Sequence, residues 1–365
     1  MSQLKKVTIV GPLAPPAGGM ANQTKKLAEF LTSEGLDVEI VRTNPDYKPA
    51  FIGKIPVLRA LFRLISYKLT LFTRLKHTDI VHIMANSGWS WHLFAAPAII
   101  FSRLFNKPVI LNYRGGYAAD FFTKSWWWVN LTLTKVQAIV VPSVFLQDVF
   151  NDFGEKAKIV PNVLDEKLFY AKEKALSKNA PHLIVTRNLE AIYDVATTIK
   201  AFSLVKAELS AARLSVAGTG PELQRLTQLV NDLSLTDSVT FTGRLTPEAM
   251  AALYQGADLM LNASTVDNTP NSIIEALACA TPVVSTNAGG IPKLVTDKHD
   301  ALLVDIADHE NMAIAALSIL NDPKVMQKLV DNGLNTINKF YWPNVWLKLK
   351  ACYDDAIACN DQSAN

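Results

Sequence analysis

The stretch Ser264–Gly290 (STVDNTPNSIIEALACATPVVSTNAGG) leaves the chain around it little choice of fold. An apolar run, Ala257–Ala263, precedes it and predicts a strand that ends in the polar loop Ser264–Asn271. Pro270 suits the first turn of a helix, where a missing N–H costs nothing. From Asn271-Ser272-Ile273-Ile274-Glu275 an apolar-periodic helix runs through Cys279. Thr281-Pro282 stops it, and Val283–Thr286 is the next buried strand, closed by Gly289-Gly290. That order puts the helix N-terminus at the carboxyl edge of a parallel sheet. Free N–H groups and the helix dipole attract anions there, and open α/β sheets hold their ligands at that edge. Asp267 before the helix and Glu275 inside it are spaced to bracket a phosphate and to accept hydrogen bonds from sugar hydroxyls. The same pattern also describes a capped helix beside a solvated loop.

With 365 residues, 49% of them hydrophobic and 19% charged, the chain has the length of two ordinary domains and a globular composition. Cys279, Cys352 and Cys359 show neither metal spacing nor a disulfide framework, which fits a reducing compartment. Met1–Lys6 lacks the apolar core of a signal peptide, and no apolar run approaches the ~20 residues of a membrane span. Charge is uneven: residues 1–180 carry 23 Lys and Arg against 13 Asp and Glu, a net +10, and the remainder carry a net −7. The basic half is expected to meet an anionic surface or acceptor. Nothing in the pattern points to nucleic acid.

In chain order, strand Lys6–Val10, the loop Gly11–Met20 and helix Ala21–Ser33 open a doubly wound domain. The loop is neither G-x-G-x-x-G nor a P-loop, and Gly18-Gly19 either lets backbone approach a phosphate or makes a plain tight turn. Further strands are expected at Val38–Arg42, Asp79–Met84, Lys107–Asn112 and Ala138–Pro142. Tyr47–Thr78 has seven basic residues and no acid among many apolar ones, with Arg59, Arg63 and Lys68 assigned to one helical face. It reads as an interfacial basic helix, or as a buried helix with snorkelling arginines. Arg114, in the loop Arg114-Gly115-Gly116 after a strand, is placed to meet phosphate or an acidic acceptor, or to form a surface salt bridge. Trp126-Trp127-Trp128 is a membrane-interface or carbohydrate-stacking cluster, or a core contact. His77, His82 and His92 read as satisfied structural histidines.

A lysine-rich linker, Ala171–Ala180, sets the boundary near 170. The α/β pattern then restarts with strand His182–Thr186, Arg187 and helix Val195–Leu209. Leu214–Ala217 leads into Gly218, Val239–Arg244 is a strand and loop, and Pro247–Gln255 a short helix. Ala301–Val304, His309–Asn321 and Val345–Ala358 complete the pattern as strand, helix and helix.

Asp267 and Glu275, with Ala276–Val284 and Gly289-Gly290 behind them, resemble the E-x7-E segment of retaining nucleotide-sugar glycosyltransferases of the group 1, family-four type. The resemblance implies an α/β GT-B fold: two Rossmann-like domains facing across a cleft, with a C-terminal helix crossing back to the first. Residues 1–170 would bind the acceptor, with 340–365 packing back on them, and 171–339 the nucleotide sugar. It further implies that Glu275 holds the ribose and Asp267, here Asp in place of Glu, the donor sugar. Arg187 would grip the donor diphosphate, the Gly18-Gly19 loop would face it, and N–H groups at Asn268, Thr269, Pro270, Asn271 and Ser272 would surround it, Pro270 having none of its own. Gly218 stands in a turn common in the family, and Arg244 ends the segment that meets the nucleotide base. Relatives carry a lysine about five residues beyond Arg187; Ile192-Tyr193-Asp194 stands there instead, so Arg114 or Arg244 is a candidate to share the phosphate charge. Arg114 itself stands where many relatives have a histidine.

The expected reaction moves a sugar from an NDP-sugar to an acceptor hydroxyl with retention. The expected acceptor is a lipid-linked saccharide of surface polysaccharide assembly. No cofactor is expected beyond the donor itself, and no metal, since the chain has no D-x-D. The expected location is cytoplasmic, with peripheral contact to the inner membrane face through residues 48–76. Two alternatives stay open: a sugar-nucleotide epimerase of GT-B fold, and a catalytically impaired GT-B binding subunit.

Overall fold

The computed structural model of the chain describes residues 4–15, 19–45, 56–115, 117–172 and 180–364, with backbone alone for 56–61, 363 and 364. The chain divides into two compact units, Met1–Val163 with Trp342–Asn365, and Leu164–Tyr341.

Unit 1 holds strands β1 (Lys6–Gly11), β2 (Asp37–Arg42), β3 (Ile80–Ala85), β4 (Val109–Tyr113), β5 (Ala138–Val141) and β6 (Ala157–Ile159). They form one sheet in the order β2-β1-β3-β4-β5-β6, each pair parallel. β3 and β4 are buried along their whole length, which is why they read as mainly apolar runs, interrupted only by His82 and Asn112, rather than as alternation. Between the strands lie α1 (Gly19–Ser33), α2 (Pro56–Arg74), α3 (Ala96–Leu104), α4 (Ala118–Leu133) and α5 (Val144–Asp152). Tyr67, Leu71, Ile99, Phe122 and Phe150 from α2 to α5 pack on one side of the sheet against Val81, Leu111 and Val141.

Unit 2 repeats the scheme with β7 (His182–Val185), β8 (Arg213–Ala217), β9 (Val239–Gly243), β10 (Leu259–Asn262), β11 (Val283–Thr286) and β12 (Leu302–Val304), ordered β12-β11-β10-β7-β8-β9 and parallel throughout. Its helices are α6 (Val195–Glu208), α7 (Leu223–Asp232), α8 (Pro247–Gly256), α9 (Asn271–Ala278), α10 (Ile291–Leu294), α11 (His309–Asn321) and α12 (Pro323–Thr336). The last helix, α13 (Trp342–Ala364), belongs to unit 1. Its Trp342, Val345, Leu349, Cys352 and Tyr353 close the second face of that sheet with Val7, Ile9 and Leu31.

Three sequence expectations change here. Trp126-Trp127-Trp128 splits, because successive helical residues point roughly 100° apart. Trp126 packs on Phe122 and Phe153, while Trp127 and Trp128 are exposed. Arg63 and Lys68 do not share a face: Arg63 Nε donates to the Thr43 carbonyl (2.6 Å) and lies over Phe94, whereas Lys68 is exposed. Five residues of helix turn through roughly 140° beyond a full circle, which separates the two; the side chain of Arg59 lies outside the described residues. Strand β6 and helices α5 and α12 fall in segments where no element was expected.

Candidate active site

In the second sheet the chain reverses direction between β7 and β10, which are hydrogen-bonded neighbours. Loops leaving two such strands diverge and open a crevice at their carboxyl ends. Arg187 follows β7, and Ser264–Asp267 follows β10, so the sheet brings together side chains 80 positions apart in sequence.

The Arg187 guanidinium is the hub. It donates to Ser272 Oγ (3.1 Å), to Ser264 Oγ (3.2 Å) and to the Asp267 carboxylate, and its Cζ lies 4.1 Å from the centre of the Tyr193 ring. Tyr193 thus covers the guanidinium within the segment where the resemblance implies a lysine. Burial pulls the arginine below its usual range, against the opposing influence of Tyr193, Tyr254 and Glu275. Nε of Arg187 and Oγ1 of Thr269 are buried without a partner. Two unsatisfied donors in an otherwise bonded loop suit the oxygens of a ligand.

The surrounding backbone is built to hold this loop still. Thr265 donates twice to the Ile192 carbonyl, from N (2.8 Å) and from Oγ1 (3.0 Å), and Thr286 Oγ1 donates to the Ser264 carbonyl (2.6 Å). Gly290 N donates to the Asp267 carbonyl (2.8 Å); Gly289 beside it has φ +54°, and a Cβ there would strike the same carbonyl. Gly218 is the counterpart on the other side, where a Cβ would strike the Arg187 carbonyl. Asn268 N donates to Asp267 Oδ1 (2.9 Å). Pro270 is the residue before α9 rather than its first and supplies no side-chain cap, and the positive end of the helix meets the loop. Glu275 is partly buried in α9, near enough for its charge to act on Arg187 and Tyr254.

The remaining expected residues are placed as follows. Gly18 lies outside the described residues. Gly19 opens α1 with open space around it. Arg244 is exposed beyond β9, and among the described residues no hydrogen bond or ion pair joins it to the cluster. Arg114 follows β4 in unit 1 and donates from Nη1 to Asn162 Oδ1. Ser264, Thr265, Thr286 and Tyr193 were not singled out by residue type; the first three act through neighbours distant in sequence, and Tyr193 through Arg187 six positions before it. His82 is structural, as expected: Nδ1 pairs with Tyr353 Oη (2.9 Å) and Nε2 with Asn112 Nδ2 (3.0 Å). Among the described residues no three His, Cys, Asp or Glu side chains gather as metal ligands.

A family model described as "Glycosyl transferases group 1" matches residues 166–336, and one described as "Glycosyltransferase Family 4" matches residues 17–168. The chain belongs to the group 1 glycosyltransferases, with the two-domain GT-B fold. It is 26% identical over 205 residues to the N-acetyl-alpha-D-glucosaminyl L-malate synthase of Bacillus anthracis (56% of this chain, 52% of that one). Identity to the alpha-monoglucosyldiacylglycerol synthase of Streptococcus pneumoniae is also 26% (63% of this chain, 54% of that one). The chain thus spans about half the length of these curated relatives. The crystal structure of Anabaena Alr3699/HepE in complex with UDP and glucose superposes with a TM-score of 0.73 at 17% identity, covering 95% of this chain and 98% of that one.

Proposed function

We propose that the protein transfers a sugar from a nucleoside-diphosphate sugar to an acceptor hydroxyl with retained configuration. The observation that carries the reading is the Arg187–Asp267–Ser264–Ser272 cluster at the reversal of strand order in the second sheet, beside the N-terminal end of α9. As the bond from anomeric carbon to phosphate oxygen breaks, negative charge grows on the leaving diphosphate. Fixed donors at that point stabilise it without reorganising. The acceptor oxygen bonds the anomeric carbon from the same face, and the departing phosphate oxygen takes the acceptor proton, so no protein nucleophile is required. Glu275 holds the ribose and Asp267 the donor sugar. UDP and glucose in the Anabaena structure support a UDP-sugar donor. Metal independence belongs to the same reading and is supported by a sequence without D-x-D.

The test is calorimetric titration with UDP-, GDP- and ADP-sugars, with and without EDTA. One donor is expected to bind in both conditions, and Glu275→Gln to weaken it about tenfold, the worth of one hydrogen bond to a charged group. If no donor binds, the binding-subunit reading replaces this one.

A lipid-linked saccharide is the acceptor we favour, met at the cytoplasmic face of a membrane. Ile65, Leu69 and Phe72 of α2 and Trp127, Trp128 and Leu131 of α4 are exposed, with Lys68 and Lys76 among them. Apolar anchors with lysines beside them suit an anionic interface, and the pneumococcal relative's name carries a diacylglycerol. No helix among the described residues is long and apolar enough to cross a membrane. The chain is expected to float with vesicles containing anionic lipid, and Trp127→Ala/Trp128→Ala to reduce the floated fraction several-fold. Equal flotation of wild type and variant would remove this face from the account.

A further inference from the structure

We propose that Arg114 is the centre of an anion subsite in unit 1 that takes a phosphate group carried by the acceptor. This rests on the glycosyltransferase reading and specifies its acceptor as phosphorylated.

Arg187 and Arg114, two partly buried guanidinium groups that follow strands, are balanced differently. Arg187 faces Asp267. Arg114 faces no carboxylate: among the described residues it has no ion pair, its side-chain partner is the neutral Oδ1 of Asn162, and its Nε is buried without a partner. The nearest acid in sequence is Asp120, six positions on in the first turn of α4, and among the described residues no ion pair joins it to Arg114. His82 adds no balancing charge, because burial and then Arg114 itself hold its imidazole neutral. Withdrawing a guanidinium from water without a counter-charge costs stability. That cost appears as a depression of the Arg114 pKa to about 10 by desolvation.

A cation kept in this state at the carboxyl edge of a parallel sheet is complete only when an anion arrives. The surroundings leave room for backbone alone: a Cβ on Gly115 would strike Ser87 Oγ, and would come within 2.7 Å of Tyr113 Oη and 2.8 Å of Asn86 Oδ1. Arginine, with its planar fork, suits phosphate better than a lysine point charge would.

All seven tryptophans lie in unit 1, so thermal unfolding followed by tryptophan fluorescence reads this unit. Arg187→Ala serves as background, to silence the other phosphate site. Arg114→Met added to it is expected to raise the ligand-free midpoint by roughly 2–4 °C, since it removes an unbalanced charge. Inorganic pyrophosphate and farnesyl diphosphate should raise the midpoint of the background by several degrees, and neither should do so once Arg114 is replaced. Arg114→Gln, which keeps a donor for Asn162, should lose the same response, and Arg114→Lys should keep part of it.

A lower ligand-free midpoint in Arg114→Met, with the pyrophosphate response intact, would make Arg114 a structural tie to Asn162 and overturn the proposal. A response to UDP but not to farnesyl diphosphate that disappears with Arg114 would assign the phosphate to the donor, and overturn it equally. Failure of the enzymatic reading looks different: no donor turnover in wild type, with the pyrophosphate response in place.

Discussion

Arg187→Ala is expected to slow sugar transfer by roughly 100- to 1,000-fold, the usual consequence of removing one fixed donor from a developing oxyanion. The effect does not stop at one lost charge. Ser264, Ser272 and the Asp267 carboxylate all lose the guanidinium at once, and Asp267, mostly shielded from solvent, keeps Asn268 N as a donor but is left without its cation. Arg187→Lys is expected to recover little, because one ammonium cannot span three acceptors or reproduce the planar contact with Tyr193. Single-turnover rates at saturating donor check this. Rates within threefold of wild type for Arg187→Ala would place the chemistry elsewhere.

The second large effect is on stability against acid. His82 is fully buried between Asn112 and Tyr353, and its pKa is depressed from 6.5 to about 3, first by burial and then by Arg114. Above pH 6.5 neither the folded nor the unfolded chain carries this proton, and the histidine's contribution is fully present. Below 6.5 the unfolded chain binds a proton that the folded one refuses, so stability falls as pH falls towards 3. From pH 7.5 to 4.5 the loss from this one group is about 3 kcal/mol. His182, also lowered by burial first of all, acts in the same direction on unit 2. Urea unfolding followed by tryptophan fluorescence isolates unit 1. In His82→Asn the wild-type fall between these pH values should shrink by about that amount, from a lower starting stability. An unchanged slope would show that His82 is not the titrating group.

How much of this was legible in the sequence varied with the range of the interactions involved. Strands β3, β10 and β11 were readable because burial on both faces leaves short, largely apolar runs without apolar–polar alternation. The start of α9 was legible in Pro270 and the periodicity beyond it, to within one residue. Arg187 and Asp267 could each be named from local pattern and resemblance, but their pairing could not, since the order of strands in a sheet is not a local property. Tyr193 stood out only as the absence of a lysine, and its position over Arg187 is a fact of packing. α5 went unmarked although Ser143 caps it by accepting from Leu146 N, because a short capped helix after a strand resembles a turn. Lys68 was assigned to the face of Arg63 with apolar residues opposite; angular position along the helix separates them.

The division of the chain also sets an order of assembly. Unit 2 is a single span, Leu164–Tyr341, whose ends meet where Leu164 N donates to the Phe340 carbonyl (2.9 Å). Unit 1 requires both sides of that span, because α13 supplies Trp342, Tyr353 and Ala356 to the core beneath β1. On the ribosome, therefore, the half translated first is finished last. Until residue 356 emerges, Val7 and Ile9 have the cover of α1 but not that of α13, and His82 has no Tyr353, while unit 2 already has every residue it needs to fold.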